Sequence, residues 1–124
     1  MFFTKEYFAR VQRLLEPNGV FVVQAGSVAP VDMQLHVRLI NTLRSVFEHV
    51  ASYTSFVPAF VTPWGFALAR SEPIKLRPDV AAVDRLLAAS LVDGGRDLVM
   101  FDGTTLLGML QLPRHLRQAI GAGC

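Results

Sequence analysis

Gly19-Val20-Phe21-Val22-Val23-Gln24-Ala25-Gly26-Ser27 is the stretch on which the fold turns. β-branched and aromatic residues run unbroken from Val20 to Val23, and a polar amide follows. Without polar alternation, such a strand is expected to be covered by helices on both faces. Upstream, Pro17-Asn18-Gly19 ends a helix expected over 4–15. Thr4 can cap it, Glu6 suits its positive end, and Phe8, Val11, Leu14 and Leu15 recur at helical spacing. Downstream, Asp32 is expected to cap a long helix from Met33 to about Val50. Its apolar stripe would be Leu39, Ile40, Leu43, Val46, Phe47 and Val50. Ala51 to Phe60 has strand character through Tyr53, Phe56 and Val57, Thr62-Pro63 breaks the chain, and Gly65 to Arg70 forms a third strand. Helix, strand, helix, strand, strand predicts an α/β layered sheet whose last two strands are antiparallel.

From Ser71 the character changes, which divides the chain into a core over 1–70 and a helical segment over 71–124. Pro73 and Pro78 bracket an extended linker. Asp79 can cap a helix through Leu91 with Val83, Leu86 and Leu87 inward, and Gly94-Gly95 ends it. Asp102-Gly103 then turns the chain into a helical stretch around Thr105–Leu110, and Pro113 suits the first turn of a closing helix through about Ile120. No internal repeat or low-complexity segment is present.

Apolar residues make up 52% of the 124 positions and charged residues 18%, which gives enough core formers for one domain and argues against disorder. The apolar excess also suggests surface meant to be covered by something else. The net charge is only +2, and the basic residues are scattered, so no nucleic-acid partner is expected. No apolar run approaches the ~20 residues of a membrane span. Met1-Phe2-Phe3-Thr4-Lys5-Glu6 does not read as a signal peptide, because charges arrive early and no apolar segment follows. Cys124 is the single cysteine, so neither a disulfide framework nor a cysteine metal site is expected. The cytoplasm is the expected compartment.

Several chemistries lack their residues. No glycine-rich phosphate loop follows a strand. His36, His49 and His115 lack ligand spacing and read as helix-surface or hydrogen-bonded histidines, so no metal is expected. Ser27 and Ser90 have no nucleophile-elbow context. Gln24 closes a buried strand, at the edge where open α/β sheets bind ligands. A buried amide without a partner costs about 1–3 kcal/mol. Gln24 therefore either caps a neighbouring loop or offers donor and acceptor to a ligand such as an alkylamine, with Gly26 permitting close approach. Phe60, Trp64 and Phe66 flank a turn containing Pro58 and Pro63. They are either core packing or a rigid aromatic wall for an aliphatic cation, a contact worth roughly 0.5–2 kcal/mol.

Three segments carry a family resemblance: FFTKEYFARVQRLLEPNGVFVVQAGS, VFEHVASYTSFVPAFVTPWGFALAR and FDGTTLLGMLQLPRHLRQAI. In this order and spacing they resemble the carboxyl-terminal portion of the polyamine aminopropyltransferases, the spermidine synthase family, from Phe3 to about Ile120. The resemblance implies the C-terminal half of a class I methyltransferase-like (Rossmann-like) sheet, with about three strands flanked by helices. It also implies transfer of the aminopropyl group of decarboxylated S-adenosylmethionine to an amine such as putrescine. By resemblance Gln24 lies at the acceptor end of the cleft and Trp64 lines the amine pocket. Phe60 falls where many members carry a tyrosine, so a hydroxyl is missing there.

The family's glycine-rich nucleotide loop, its ribose-binding acid and the segment with its general-base aspartate all precede the part that Phe3 matches. No catalytic residue is therefore assigned within this chain, no cofactor is expected, and the co-substrate's main binding loop is absent. The chain is expected to be a truncated carboxyl-terminal portion, inactive by itself. The alternatives are a half that binds a separately encoded amino-terminal half through the exposed edge of Val20–Val23, or a non-catalytic homo-oligomer interface.

Overall fold

A computed structural model describes residues 4–55 and 57–121. Met1, Phe2, Phe3, Phe56 and Cys124, on which parts of the sequence reading rest, lie outside the described residues. Thr4 opens the first helix as expected: its hydroxyl accepts a hydrogen bond from the Tyr7 amide at 3.1 Å. Helix α1 runs Lys5–Leu14. Phe8 is fully buried and Val11 packs beside it, but Leu14 is 85% exposed. The helix ends there, and the chain brings Leu15 onto the core instead.

Strand β1 (Phe21–Ser27), helix α2 (Gln34–Arg44), β2 (His49–Ser55) and β3 (Trp64–Arg70) follow. The strand order is β1-β3-β2, so the last strand inserts between the first two. Both pairings are antiparallel. Gln24, Phe66 and Tyr53 form one cross-strand row, and Val23, Ala67 and Ser52 form the next. Alternation along the strands puts successive rows on opposite faces of the sheet.

The expectation that β1 is covered on both faces does not hold in this unit. Ala25, Ala67, Ala69 and Val50 face Phe8 of α1, and Leu39, Ile40 and Leu43 of α2, in a single buried cluster. Small alanines let the helices approach the sheet closely. Each large side chain so buried contributes on the order of 1.5–3 kcal/mol. The opposite face is open at β1, where Val22 remains 47% exposed; Val20, just before the strand, is 44% exposed. Unbroken apolarity therefore overstated burial here, because β1 is an edge strand and one of its faces looks outward.

Helix α2 ends six residues before the end of its apolar stripe, at Arg44 rather than near Val50. Ser45 donates its hydroxyl to the Thr42 carbonyl at 2.6 Å, and the chain then leaves the helix. Val50 instead pairs with Ala69 in the sheet, so strand pairing prevails over the helical spacing. Asp32 does not cap α2 either; Met33 occupies that position, with no side-chain hydrogen bond to the helix.

Two compact units result: Met1–Ile74 with Leu112–Cys124, and Lys75–Gln111. The second contains α3 (Val80–Ser90) and α4 (Gly103–Leu110). Asp79 caps α3 by accepting from the Ala81 amide at 3.1 Å. Val83 and Leu87 are half-buried, whereas Leu86, expected to point inward, is 65% exposed. Asp102 caps α4 through the Thr105 amide at 2.9 Å, and these bonds hold its carboxyl below the usual range. The closing helix α5 (Arg114–Ile120) belongs to the first unit, where Leu116 and Ile120 join the buried cluster. Among the described residues, no helix is long and apolar enough to cross a membrane.

Candidate functional site

At the end of β1 the pairing with β3 shifts register between Gln24 and Ser27. Gly26 takes φ +78° there, a left-handed conformation that glycine adopts at no steric cost. The chain then turns through Ala29–Asp32 into α2, and the Val28 amide donates to the Pro63 carbonyl at 3.0 Å. This ties the loop after β1 to the loop before β3. Between them lies a pocket of about 550 Å³, lined by Gln24, Gly26, Ser27, Asp32, Leu35, Phe60, Thr62 and Trp64.

Two histidines brace the polypeptide behind this pocket. His36 of α2 is fully buried. Its Nδ1 lies 2.9 Å from the Ala25 carbonyl and its Nε2 lies 2.7 Å from the Ser52 hydroxyl. A carbonyl can only accept, so Nδ1 carries the proton and Nε2 accepts from Ser52. Burial pushes the ring's pKa down, and the bond to Ala25 opposes that shift without cancelling it. Gly65 of β3 passes directly over the ring: a Cβ at that position would sit 2.5 Å from Nδ1. His115 of α5 donates from Nε2 to the Val28 carbonyl at 2.6 Å. The sequence placed these histidines on helix surfaces or in hydrogen bonds. The structure makes His36 a buried bridge between α2, β1 and β2.

Gln24 is exposed at the pocket, on the face opposite His36, and its side chain makes no hydrogen bond to a described residue. It therefore carries no burial debt and does not cap a loop. Phe60 and Trp64 do form a wall, with ring centroids 4.1 Å apart and planes tilted by 33°. Phe66 lies apart from it, stacked on Tyr53 at 5.2 Å, and does not line the pocket. The indole Nε1 of Trp64 is buried without an acceptor among the described residues. Val61, between the two wall residues, takes φ +64°, a strained conformation for a β-branched residue, costing on the order of 1–3 kcal/mol.

The pocket thus gathers Gln24, Gly26, Phe60 and Trp64, four of the five residues singled out in the sequence, and leaves out Phe66. It adds Asp32, Ser27, Leu35 and Thr62, which the sequence did not mark as site residues. Asp32 was legible only as a helix cap, because its residue type and spacing suit that role equally well. Among the described residues of the lining, it is the one charged side chain. An apolar wall, an open amide and a carboxylate suit an aliphatic cation rather than an anion. Among the described residues, no group of three or more His, Cys, Asp or Glu side chains is placed to hold a metal ion.

Comparison with known proteins agrees in family and fold. The profile of the spermine/spermidine synthase domain matches residues 1–77. A polyamine aminopropyltransferase of a Synechococcus species is 42% identical over 120 residues, covering 97% of this chain and 38% of the relative. Another from Aeropyrum pernix is 34% identical over 119 residues, covering 95% and 37%. The chain thus spans well under half the length of the curated relatives it matches. A crystal structure of spermidine synthase in complex with the transition state analogue AdoDATO superposes with a TM-score of 0.76 at 17% identity, over 97% of this chain and 39% of that one. The spermidine synthase from Thermotoga maritima gives 0.75 at 18% identity, with the same coverages. At these identities the structures show a shared fold, which is α/β and methyltransferase-like.

Proposed function

The chain belongs to the spermine/spermidine synthase family, and from that premise we propose that its pocket is the amine-holding part of a polyamine aminopropyltransferase. One observation supports the reading above others: Gln24 at the end of β1 and the Phe60–Trp64 turn, from two distant segments of the chain, meet around one pocket. In this reading the Gln24 carbonyl accepts from an amine N–H, while the methylenes of a diamine such as putrescine pack on Phe60 and Trp64. An ammonium over either ring adds roughly 0.5–2 kcal/mol. The aminopropyl group would come from decarboxylated S-adenosylmethionine as co-substrate, in the cytoplasm.

Transfer needs more than an amine pocket. The attacking nitrogen must lose its proton, and the sulfonium carbon must be held in line with it. These 124 residues contain no glycine-rich nucleotide loop after a strand and none of the family's general-base segment. We therefore expect the 124-residue polypeptide to bind amines without turning them over. Purified protein given decarboxylated S-adenosylmethionine with putrescine, spermidine or agmatine should yield no product. Any turnover above a no-enzyme control would refute this inactivity.

A second reading is that the chain completes its sheet with a separately encoded amino-terminal half. It is favoured by β1, which pairs on one side only and carries the exposed Val22 beside the exposed Val20. Unpaired strand edges are templates for further pairing. Co-expression with such a half should give a stable complex, whereas a homo-oligomer of this chain alone would favour its use as a self-association surface.

A further inference from the structure

Four residues of the described chain stand where a side chain can close a helix start, and three of them do so. Thr4, Asp79 and Asp102 each accept a backbone amide at 2.9–3.1 Å. Asp32 does not. Met33 takes the cap position of α2 without any side-chain bond, and the Asp32 carboxylate has no hydrogen bond or ion pair with a described residue. Only the Asp32 backbone is engaged, its amide donating to the Ala29 carbonyl at 3.0 Å. The freed carboxylate lines the same pocket as Gln24, Phe60 and Trp64, and among the described residues no Lys or Arg lines that pocket to neutralise it.

We infer that Asp32 is a specificity-determining residue: it holds the far ammonium of a diamine whose near nitrogen lies at Gln24. The inference rests on the amine-pocket reading above and adds the group that tells a diamine from a monoamine. The aromatic wall and the Gln24 amide serve any alkylamine equally, because they contact methylenes and one nitrogen. A second positive charge changes the balance only where an anion waits for it. Asp32 also counters the positive end of α2, whose uncapped amides would otherwise oppose a cation there. A charge-assisted hydrogen bond of this kind corresponds to about tenfold or more in affinity.

Trp64 is the only tryptophan of the chain, so its fluorescence reports on the pocket directly. Titrations with 1,4-diaminobutane and with 1-aminobutane should show the diamine binding about tenfold tighter. Asp32→Asn should remove that preference and Asp32→Glu should largely keep it. In the unaltered chain the preference should also shrink as salt is raised, because exposed charges are screened. This arm needs no variant to fold. Equal binding of the two amines by the unaltered chain, or a preference that survives Asp32→Asn, overturns the role of Asp32 and leaves the pocket standing. No response to either amine overturns the pocket reading itself, and this inference with it.

Discussion

His36 shows how much one residue can carry at this site. It links helix α2 to the Ala25 carbonyl of β1 and to Ser52 of β2, so one hydrogen bond holds the segment bearing Gln24 from behind and the other fixes the ring that makes it. Its neighbour Gly65 leaves the room that the ring needs. Because burial lowers the ring's pKa from 6.5, the unfolded chain takes up a proton that the folded chain refuses. The contribution is therefore full above about pH 6.5 and declines as pH falls below it, by at most about 1.4 kcal/mol per pH unit. The decline ends where the buried ring itself protonates. Urea unfolding between about pH 7.5 and about pH 5.5 should show this loss, and His36→Gln should flatten it relative to the unaltered chain. Identical pH slopes for the two proteins would count against the assignment. In the sequence His36 looked like any helix histidine, since burial depends on which side of α2 meets the sheet.

Elements differ in what holds them. α2 is anchored by three buried leucine and isoleucine side chains, Leu39, Ile40 and Leu43. α3 has no fully buried residue, so its cap matters proportionately more. Asp79→Ala should cost about 1 kcal/mol, and the loss should appear as faster amide exchange across Val80–Ser90. Exchange within α2 should not change. A uniform acceleration of both helices would show that they do not open independently. The Asp79 cap was readable from residue type and position, as was Thr4, whereas Asp102 read only as part of a turn and the structure made it the cap of α4. The end of α2 was not readable, because Val46, Phe47 and Val50 continue a helical spacing while strand pairing claims Val50.

For the whole molecule, the open face and free edge of β1 set the behaviour in solution. Exposed Val20 and Val22 beside an unpaired strand predict dye binding and concentration-dependent self-association. Val22→Lys should reduce both, since a charge on an edge strand disfavours further pairing. Light scattering and dye fluorescence across a concentration series provide the measurement. A dilute monomer that takes up no dye, with or without the substitution, would show that this surface is already satisfied.

Local chemistry was enough to read much of this protein from its residues. The glycine and proline stops, the apolar runs and two of the caps, Thr4 and Asp79, are properties of short segments. They placed the helices and strands and brought out Gln24, Phe60 and Trp64. The tertiary structure alone decided that β3 lies between β1 and β2, that only one sheet face in this unit is buried by helices, and that Asp32 lines the pocket instead of capping α2. Those outcomes depend on which distant segments come together, and in a folded chain burial and proximity override the preference of any short stretch.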